Sequence, residues 1–203
     1  MLTGDETTTD VAARVLSRPS EQRYSDAIVR DGENVRTMSV AVLLESLAEV
    51  NAHRARHDPL TELPNRVYVM EHLERLAVAD RRRRQLAVPF VDVDGFKRVN
   101  DSLGHAACDE LLRIVGARLQ AAVRGDDLVG RMGGDEFVAV LNVTSRDQAR
   151  RIAESFIEAL ATPIALAAGT VLVEASIGLA FTGAEPFVPD ALLRESNQAM
   201  YGR

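Results

Sequence analysis

A pair of adjacent glycines between two apolar runs constrains this chain more than any other feature. Asp127-Leu128-Val129-Gly130 and Val138-Ala139-Val140-Leu141 flank the stretch Arg131-Met132-Gly133-Gly134-Asp135-Glu136-Phe137. Gly133 and Gly134 can both take positive φ, so the stretch reads as a β-hairpin closed at the glycines. Asp135 and Glu136 follow the turn at once. A bare turn has little use for two acids beside an aromatic strand residue. A site for phosphate and a cation does: glycines let phosphates approach the backbone, and carboxylates hold the cation.

The rest of the chain supplies the partners of this hairpin. Residues 1–20 are polar and are expected to be poorly ordered at their start. Asp26–Arg30, an Asp31-Gly32 turn and Val35–Met38 read as strand, turn, strand. Ser39 can cap a helix that continues to about Arg56, with Val42, Leu43, Ser46, Leu47 and Val50 on its stripe. That helix either docks on its own domain or forms a stalk that pairs with a second copy. Asp58–Arg66, with two prolines, forms a structured loop, and a helix starting near Asn65 runs into Arg81-Arg82-Arg83-Arg84. The arginine run reads as a solvated helix C-terminus, where cations also suit the dipole, rather than as a polyanion site.

Leu86–Asp94 reads as a buried strand that ends in acid, with Pro89 awkward inside it because a central strand needs that N–H. A short helix or turn over 95–100 follows, then a long helix from about Ala106 to Val123. After the hairpin, Thr144–Asp147 starts another helix, strands include Val171–Val173 and Ser176–Ala180, and a last helix covers about Asp190–Tyr201. This order gives an α+β fold: an antiparallel-rich central sheet flanked by helices, preceded by a hairpin and a linker helix. Residues 1–56 form the N-terminal segment and 57–203 the main domain.

Asp92 and Asp135 each sit where a strand meets a loop. If those strands are neighbours, the carboxylates converge and can share divalent cations that clamp phosphate oxygens. The Val93 carbonyl can complete an oxygen set suited to Mg²⁺, and Lys97 can reach a phosphate. An Asp at a strand end is usually a turn residue, so the metal reading rests on the two motifs together.

Read in order, these motifs resemble the GGDEF-domain diguanylate cyclases, which join two GTP molecules into cyclic di-GMP. The resemblance runs from Asp58 to Tyr201. It is carried by Asp58-Pro59-Leu60-Thr61, Leu63-Pro64-Asn65-Arg66, Asp92–Lys97, Asn100-Asp101, Gly104-His105, Arg131–Phe137, Ser176-Ile177-Gly178 and Ala199-Met200-Tyr201. It implies a palm-like sheet of the nucleotide-cyclase kind. It also implies that Asp92, the Val93 carbonyl and Asp135 bind Mg²⁺, two ions per site, with Mn²⁺ as an alternative. Asp135 or Glu136 would help deprotonate the attacking 3′-hydroxyl, and Lys97 would stabilise phosphate charge. Asn100 and Asp109 would read guanine with His105 close by, and Gly133 and Gly134 would leave room for the phosphates. Each domain would hold one GTP, so catalysis implies a homodimer. Arg124 and Asp127 stand at the spacing of the family's inhibitory site for cyclic di-GMP.

Four positions depart from the family pattern: Glu62 and Cys108 stand where glycine is usual, Pro89 interrupts the first active-site strand, and Asn197 replaces Asp. Glu or Cys on a backbone that needs glycine is expected to be strained by ~1 kcal/mol or more where φ is positive. The sequence stops at Arg203, ahead of a phosphate-contacting Lys and a closing strand, which reads as C-terminal truncation. The alternative to an enzyme is a domain that binds GTP or cyclic di-GMP and signals through dimerisation. Residues 20–56 faintly resemble the end of a CBS-like nucleotide-sensing module.

The net charge of -6 argues against non-specific nucleic-acid binding, which leans on a basic surface. One cysteine excludes an internal disulfide and fits a reducing cytoplasm. No signal peptide opens the sequence, and Pro163, Gly169 and Glu174 break its most apolar window, so no membrane span is expected.

Overall fold

The computed structural model describes residues 2–3, 8–18, 26–31, 34–79, 85–183 and 186–201. The chain divides into two compact units, Met1–Ala55 and Arg56–Arg203.

In the first unit, β1 (Leu2–Thr3) pairs in parallel with β2 (Ala27–Asp31), and β2 pairs antiparallel with β3 (Asn34–Met38). The expected hairpin is therefore present. The opening segment also carries a helix, α1 (Thr8–Leu16), whose Val11 and Val15 are buried with Val40 and Leu43 of α2 (Val40–Arg56). The poor order expected at the start of residues 1–20 falls mostly on residues outside those described; from Thr8 two valines four residues apart supply the apolar face of the helix. From Ala48 to Arg56 every residue of α2 is exposed. Nothing in this unit bears out a CBS-like remnant.

The second unit is built on a four-stranded antiparallel sheet of order β5-β6-β4-β9. The strands are β4 (Gln85–Asp94), β5 (Leu128–Gly133), β6 (Glu136–Val143) and β9 (Glu174–Phe181). Helices cover both faces, which is why central strand β4 is an almost unbroken apolar run rather than an alternating one. On one face, α4 (Phe96–Ala121) and α5 (Arg146–Ala161) bury Leu111, Val115 and Phe156 against Val91, Phe137 and Leu141. On the other, α3 (Arg66–Ala79) and α6 (Pro189–Tyr201) bury Leu73, Leu193 and Met200 against Phe90, Val138 and Val140. The arginine run 81–84 lies outside the described residues.

Pro89 does not break β4. Its partners on β9 run without interruption, whereas the β6 partners skip Val88 and Pro89 and resume in the same register at Phe90↔Val138. The missing N–H thus faces β6. The Ser196 hydroxyl, buried on α6, donates to the Val88 and Gly178 carbonyls across the β4–β9 rung beside it.

One expected element differs. Val171–Val173 is no strand of the main sheet: β7 (Ile164–Leu166) and β8 (Gly169–Val171) form a small hairpin of their own, and Leu172 is exposed. The short helix expected from 95 and the long helix expected from about 106 are both present as the two arms of α4, separated by a kink at Gly104, which has φ 80 and ψ 174.

Local chemistry sets the helix ends. Ser145 caps α5 by accepting the Gln148 N–H at 3.2 Å, and the Gln148 side chain accepts the Thr144 N–H at 2.8 Å, a reciprocal cap. Arg118 donates to the carbonyls of Ala159, Thr162 and Pro163, satisfying acceptors orphaned at the end of α5.

Of the two residues standing where glycine is usual, only one is strained. Glu62 has φ 60 and is the only non-glycine residue with positive φ among those described. Cys108 lies buried inside α4, where any residue fits, so its expected strain is absent. Glu62→Gly is expected to stabilise the domain by about 0.5–1 kcal/mol, since relief of a left-handed Glu outweighs the added chain entropy. Urea denaturation of the two proteins measures this, and an unchanged midpoint would count against strain at Glu62.

Candidate functional site

The hairpin closes on a two-residue loop, Gly134-Asp135, between the paired residues Gly133 and Glu136. Gly133 has φ 143 and Gly134 has φ 53, so both use the freedom that only glycine has there. A Cβ built on either would meet nothing within 4 Å. The glycines are thus required by conformation, and the space beyond them is open to a ligand.

The register then assembles the acids. Asp92 is the direct partner of Glu136 on β6 and of Ser176 on β9. The β4–β6 ladder ends at that pair, one residue before Val93, whose N–H donates to the Asp135 carbonyl at 3.2 Å. Asp92, Val93, Asp135 and Glu136, far apart in sequence, therefore meet at one edge of the sheet. Asp94 joins them and accepts a hydrogen bond from Ser176 at 2.9 Å.

Burial raises the Asp92 pKa, and the neighbouring charges of Asp135, Asp94 and Glu136 raise it further. Four carboxylates crowded at a half-buried edge repel one another, and a divalent cation relieves that repulsion. Asp92, Asp135 and the Val93 carbonyl offer hard oxygen donors of the kind Mg²⁺ takes. Among the described residues no three His, Cys, Asp or Glu side chains form a ready metal cage. The Tyr201 phenol, at the end of α6, has its pKa raised first by the charge of Asp92.

Beside the acids, α4 begins at Gly95 (φ 82) with no side-chain cap. Arg98 and Val99 donate to the Gly95 carbonyl, leaving the Phe96 and Lys97 amides at the start of the first turn free to meet an anion. Lys97 is exposed in that turn. Asn100 lies further along α4, its Oδ1 buried without a partner. His105 and Asp109 are exposed beyond the Gly104 break. The buried Cys108 Sγ contacts the Phe96 carbonyl at 4.0 Å.

Arg124 and Asp127 sit in the turn before β5. Asp127 is already engaged: one carboxylate oxygen accepts the Arg124 N–H at 3.3 Å, the other the Asn142 N–H at 2.9 Å. The Arg124 side chain opens onto a surface recess shared with Thr144, Gln148, Arg151 and Ser155.

Sequence reasoning assigned no role to the pair that holds the turn in place. Arg131 donates to the Gly134 carbonyl through Nε at 3.1 Å and Nη2 at 2.8 Å, and to Asp58 through Nη1 at 2.8 Å. The same Asp58 oxygen accepts the N–H groups of Leu60 and Thr61 and the Thr61 hydroxyl. The partners lie 73 residues apart, so no local pattern signals them.

Comparison with known proteins places this architecture. The profile of a family described as "Diguanylate cyclase, GGDEF domain" matches residues 55–203. Among curated proteins, diguanylate cyclase TpbB of Pseudomonas aeruginosa is 44% identical over 153 residues, covering 74% of this chain and 35% of TpbB. Diguanylate cyclase DgcP of the same organism is 36% identical over 186 residues, covering 89% of this chain and 27% of DgcP. The chain thus spans about a third or less of the length of these relatives. The solved GGDEF domain of TpbB superposes with a TM-score of 0.68 at 42% identity, covering 71% of this chain and 86% of that one. The coiled coil and GGDEF domain of DgcB from Caulobacter crescentus, solved with c-di-GMP, has a TM-score of 0.72 at 22% identity, covering 80% and 86%, a likeness of fold.

Proposed function

Because the chain belongs to the GGDEF-domain diguanylate cyclase family, we propose that it condenses two GTP molecules into cyclic di-GMP and two pyrophosphates. The observation that carries the reading is the convergence of Asp92, Val93, Asp135 and Glu136 beside an open glycine turn.

Each 3′-oxygen attacks the α-phosphorus of the other GTP, forming a P–O bond as the bond to pyrophosphate breaks. Asp135 or Glu136 accepts the hydroxyl proton. The free amides of the first turn of α4 and the Lys97 ammonium receive the phosphate oxygens. Asn100 and Asp109 read the guanine edge, a carboxylate accepting from N1–H and N2–H₂ and an amide donating to the ring acceptors, with His105 nearby. Asp92, Asp135 and the Val93 carbonyl would hold a divalent cation. Mg²⁺ is the expected ion, with Mn²⁺ as an alternative and two ions per site; when bound it neutralises phosphate charge and polarises phosphorus. One GTP per domain makes a homodimer the working unit, and the cytoplasm, which supplies GTP, is its setting. No described helix is long and apolar enough to cross a membrane.

The test is incubation with GTP and Mg²⁺ followed by nucleotide chromatography. Cyclic di-GMP is the expected product. Tight GTP binding without product would instead make the domain a nucleotide receptor.

Arg124 and Asp127 are proposed to bind the product and limit its accumulation. Arg124 offers a planar fork to phosphate or guanine from an exposed position, and Asp127 keeps lone pairs beyond its two backbone donors. Arg124→Ala is expected to raise the steady-state product level several-fold. Progress curves that plateau where the parent's do would remove Arg124 from that role.

A further inference from the structure

Even-numbered residues of β4 and β6 face α3 and α6: Phe90, Val138 and Val140 pack there, and Asp92 and Glu136 continue the same two rows. Glu136 therefore stands between two surroundings. On one side are Asp92, Asp94 and Asp135, with the Tyr201 phenol close by. On the other is a recess of about 130 Å³ that Glu136 borders together with Arg66, Asp190, Arg194 and Asn197. That volume holds a few waters, at about 30 Å³ each, and no nucleotide.

Among the described residues, the side chain of neither Arg66 nor Arg194 makes a hydrogen bond or ion pair. Asp190 precedes Arg194 by one helical turn on α6, the spacing at which an acid and a base can pair along a helix. Asn197 is neutral, and its Oδ1 is buried without a partner, so it does not occupy the Arg66 guanidinium. Arg66, at the start of α3 with no acid in its own first turn, is the cation on the recess left to pair with Glu136.

We infer that Arg66 is a positioning residue for Glu136, drawing its carboxylate into the recess and off the Asp92–Asp135 pair. The two side chains form no ion pair in the structure, so the pairing takes a rearrangement of one or both. With Glu136 held back, Asp92, Asp135 and the Val93 carbonyl keep their geometry for a first cation, and Glu136 returns to the edge when nucleotide adds charge there. The inference rests on the proposed role of Glu136 in the reaction.

The test uses the whole chain and three readouts: Mn²⁺ affinity without nucleotide by water-proton relaxation, cyclic di-GMP formation, and the thermal midpoint. In Arg66→Gln, Glu136 falls back onto the Asp92–Asp135 pair, so Mn²⁺ is expected to bind about tenfold tighter while kcat drops about tenfold at nearly constant KM. Arg66→Lys restores both. Adding Glu136→Gln to Arg66→Gln erases the gain in Mn²⁺ affinity. A residue that merely supports the fold would lower the midpoint and weaken Mn²⁺ binding, which overturns the inference, as does a gain that persists without Glu136. Should Arg66→Gln not fold, Glu136→Gln alone decides: unchanged Mn²⁺ affinity supports a carboxylate held in the recess, and a loss overturns it. A parent protein that yields no cyclic di-GMP refutes the proposed function, while the Mn²⁺ measurements still read the pairing.

Discussion

Asp135→Ala is expected to abolish cyclic di-GMP formation, by about a thousandfold or more, in a protein that still folds. Asp135 lies in the two-residue loop of the hairpin, and the fold uses its backbone carbonyl, which accepts from Val93. Its carboxylate contributes repulsion instead, as one of the charges that raise the Asp92 pKa. Removing it takes away a proposed cation ligand and relieves crowding at once. The thermal midpoint without cation should therefore hold or rise while product formation vanishes and cation-induced stabilisation shrinks. Nucleotide chromatography and a melt with and without Mg²⁺ check both halves. Product made at the parent's rate would remove Asp135 from the chemistry.

Asp58→Ala is expected to cost about 3 kcal/mol of stability, because it strands a largely buried arginine. The side chains of Arg131 and Asp58 are 11% and 18% exposed, and one Asp58 oxygen gathers four donors. Burial by itself raises the Asp58 pKa, yet the hydrogen bonds from Arg131 and Thr61 and the Arg131 charge outweigh it and hold the carboxyl below its ordinary 3.8. A carboxylate depressed in the folded state contributes stability that is full above its unfolded pKa and disappears as pH falls through the folded value. The parent should therefore lose stability below about pH 4 more steeply than Asp58→Ala does. Denaturant titrations at neutral and acid pH measure both effects. A difference below about 1 kcal/mol at neutral pH would reduce the pair to a surface contact.

Much of this architecture could be read from local pattern. The hairpin at Gly133-Gly134, the acid-tipped strand to Asp94 and the capped start of α5 each announce themselves through residues a few positions apart. The strain at Glu62 was legible because one residue type owns that backbone region. Cys108 does not meet the same condition, since a glycine position inside a helix carries no demand for positive φ. Val171–Val173 looked like a sheet strand because β-branched residues favour extended backbone anywhere, and propensity does not say which neighbour they find. Pro89 was tolerated for a reason the sequence hides: only the register reveals that its missing N–H faces β6 alone. The site divided in the same way. Its acids lay in motifs, whereas the Arg131–Asp58 clamp and the recess at Arg66 depend on contacts across the fold.

The loop before α3 has a mechanical consequence. The carbonyl of Arg56, last residue of α2, accepts the Asn65 N–H at 2.8 Å, and the neighbouring Pro64 carbonyl accepts the Arg131 N–H at 2.9 Å. Arg131 in turn grips the carbonyl of Gly134. A side chain on Gly130 would come within 2.8 Å of that Pro64 oxygen, so the strap lies flush against β5 with no slack. Arg56, Asn65, Pro64, Arg131 and Gly134 thus form a short relay of hydrogen bonds within the second unit, and it ties the turn that carries Asp135 to the loop before α3.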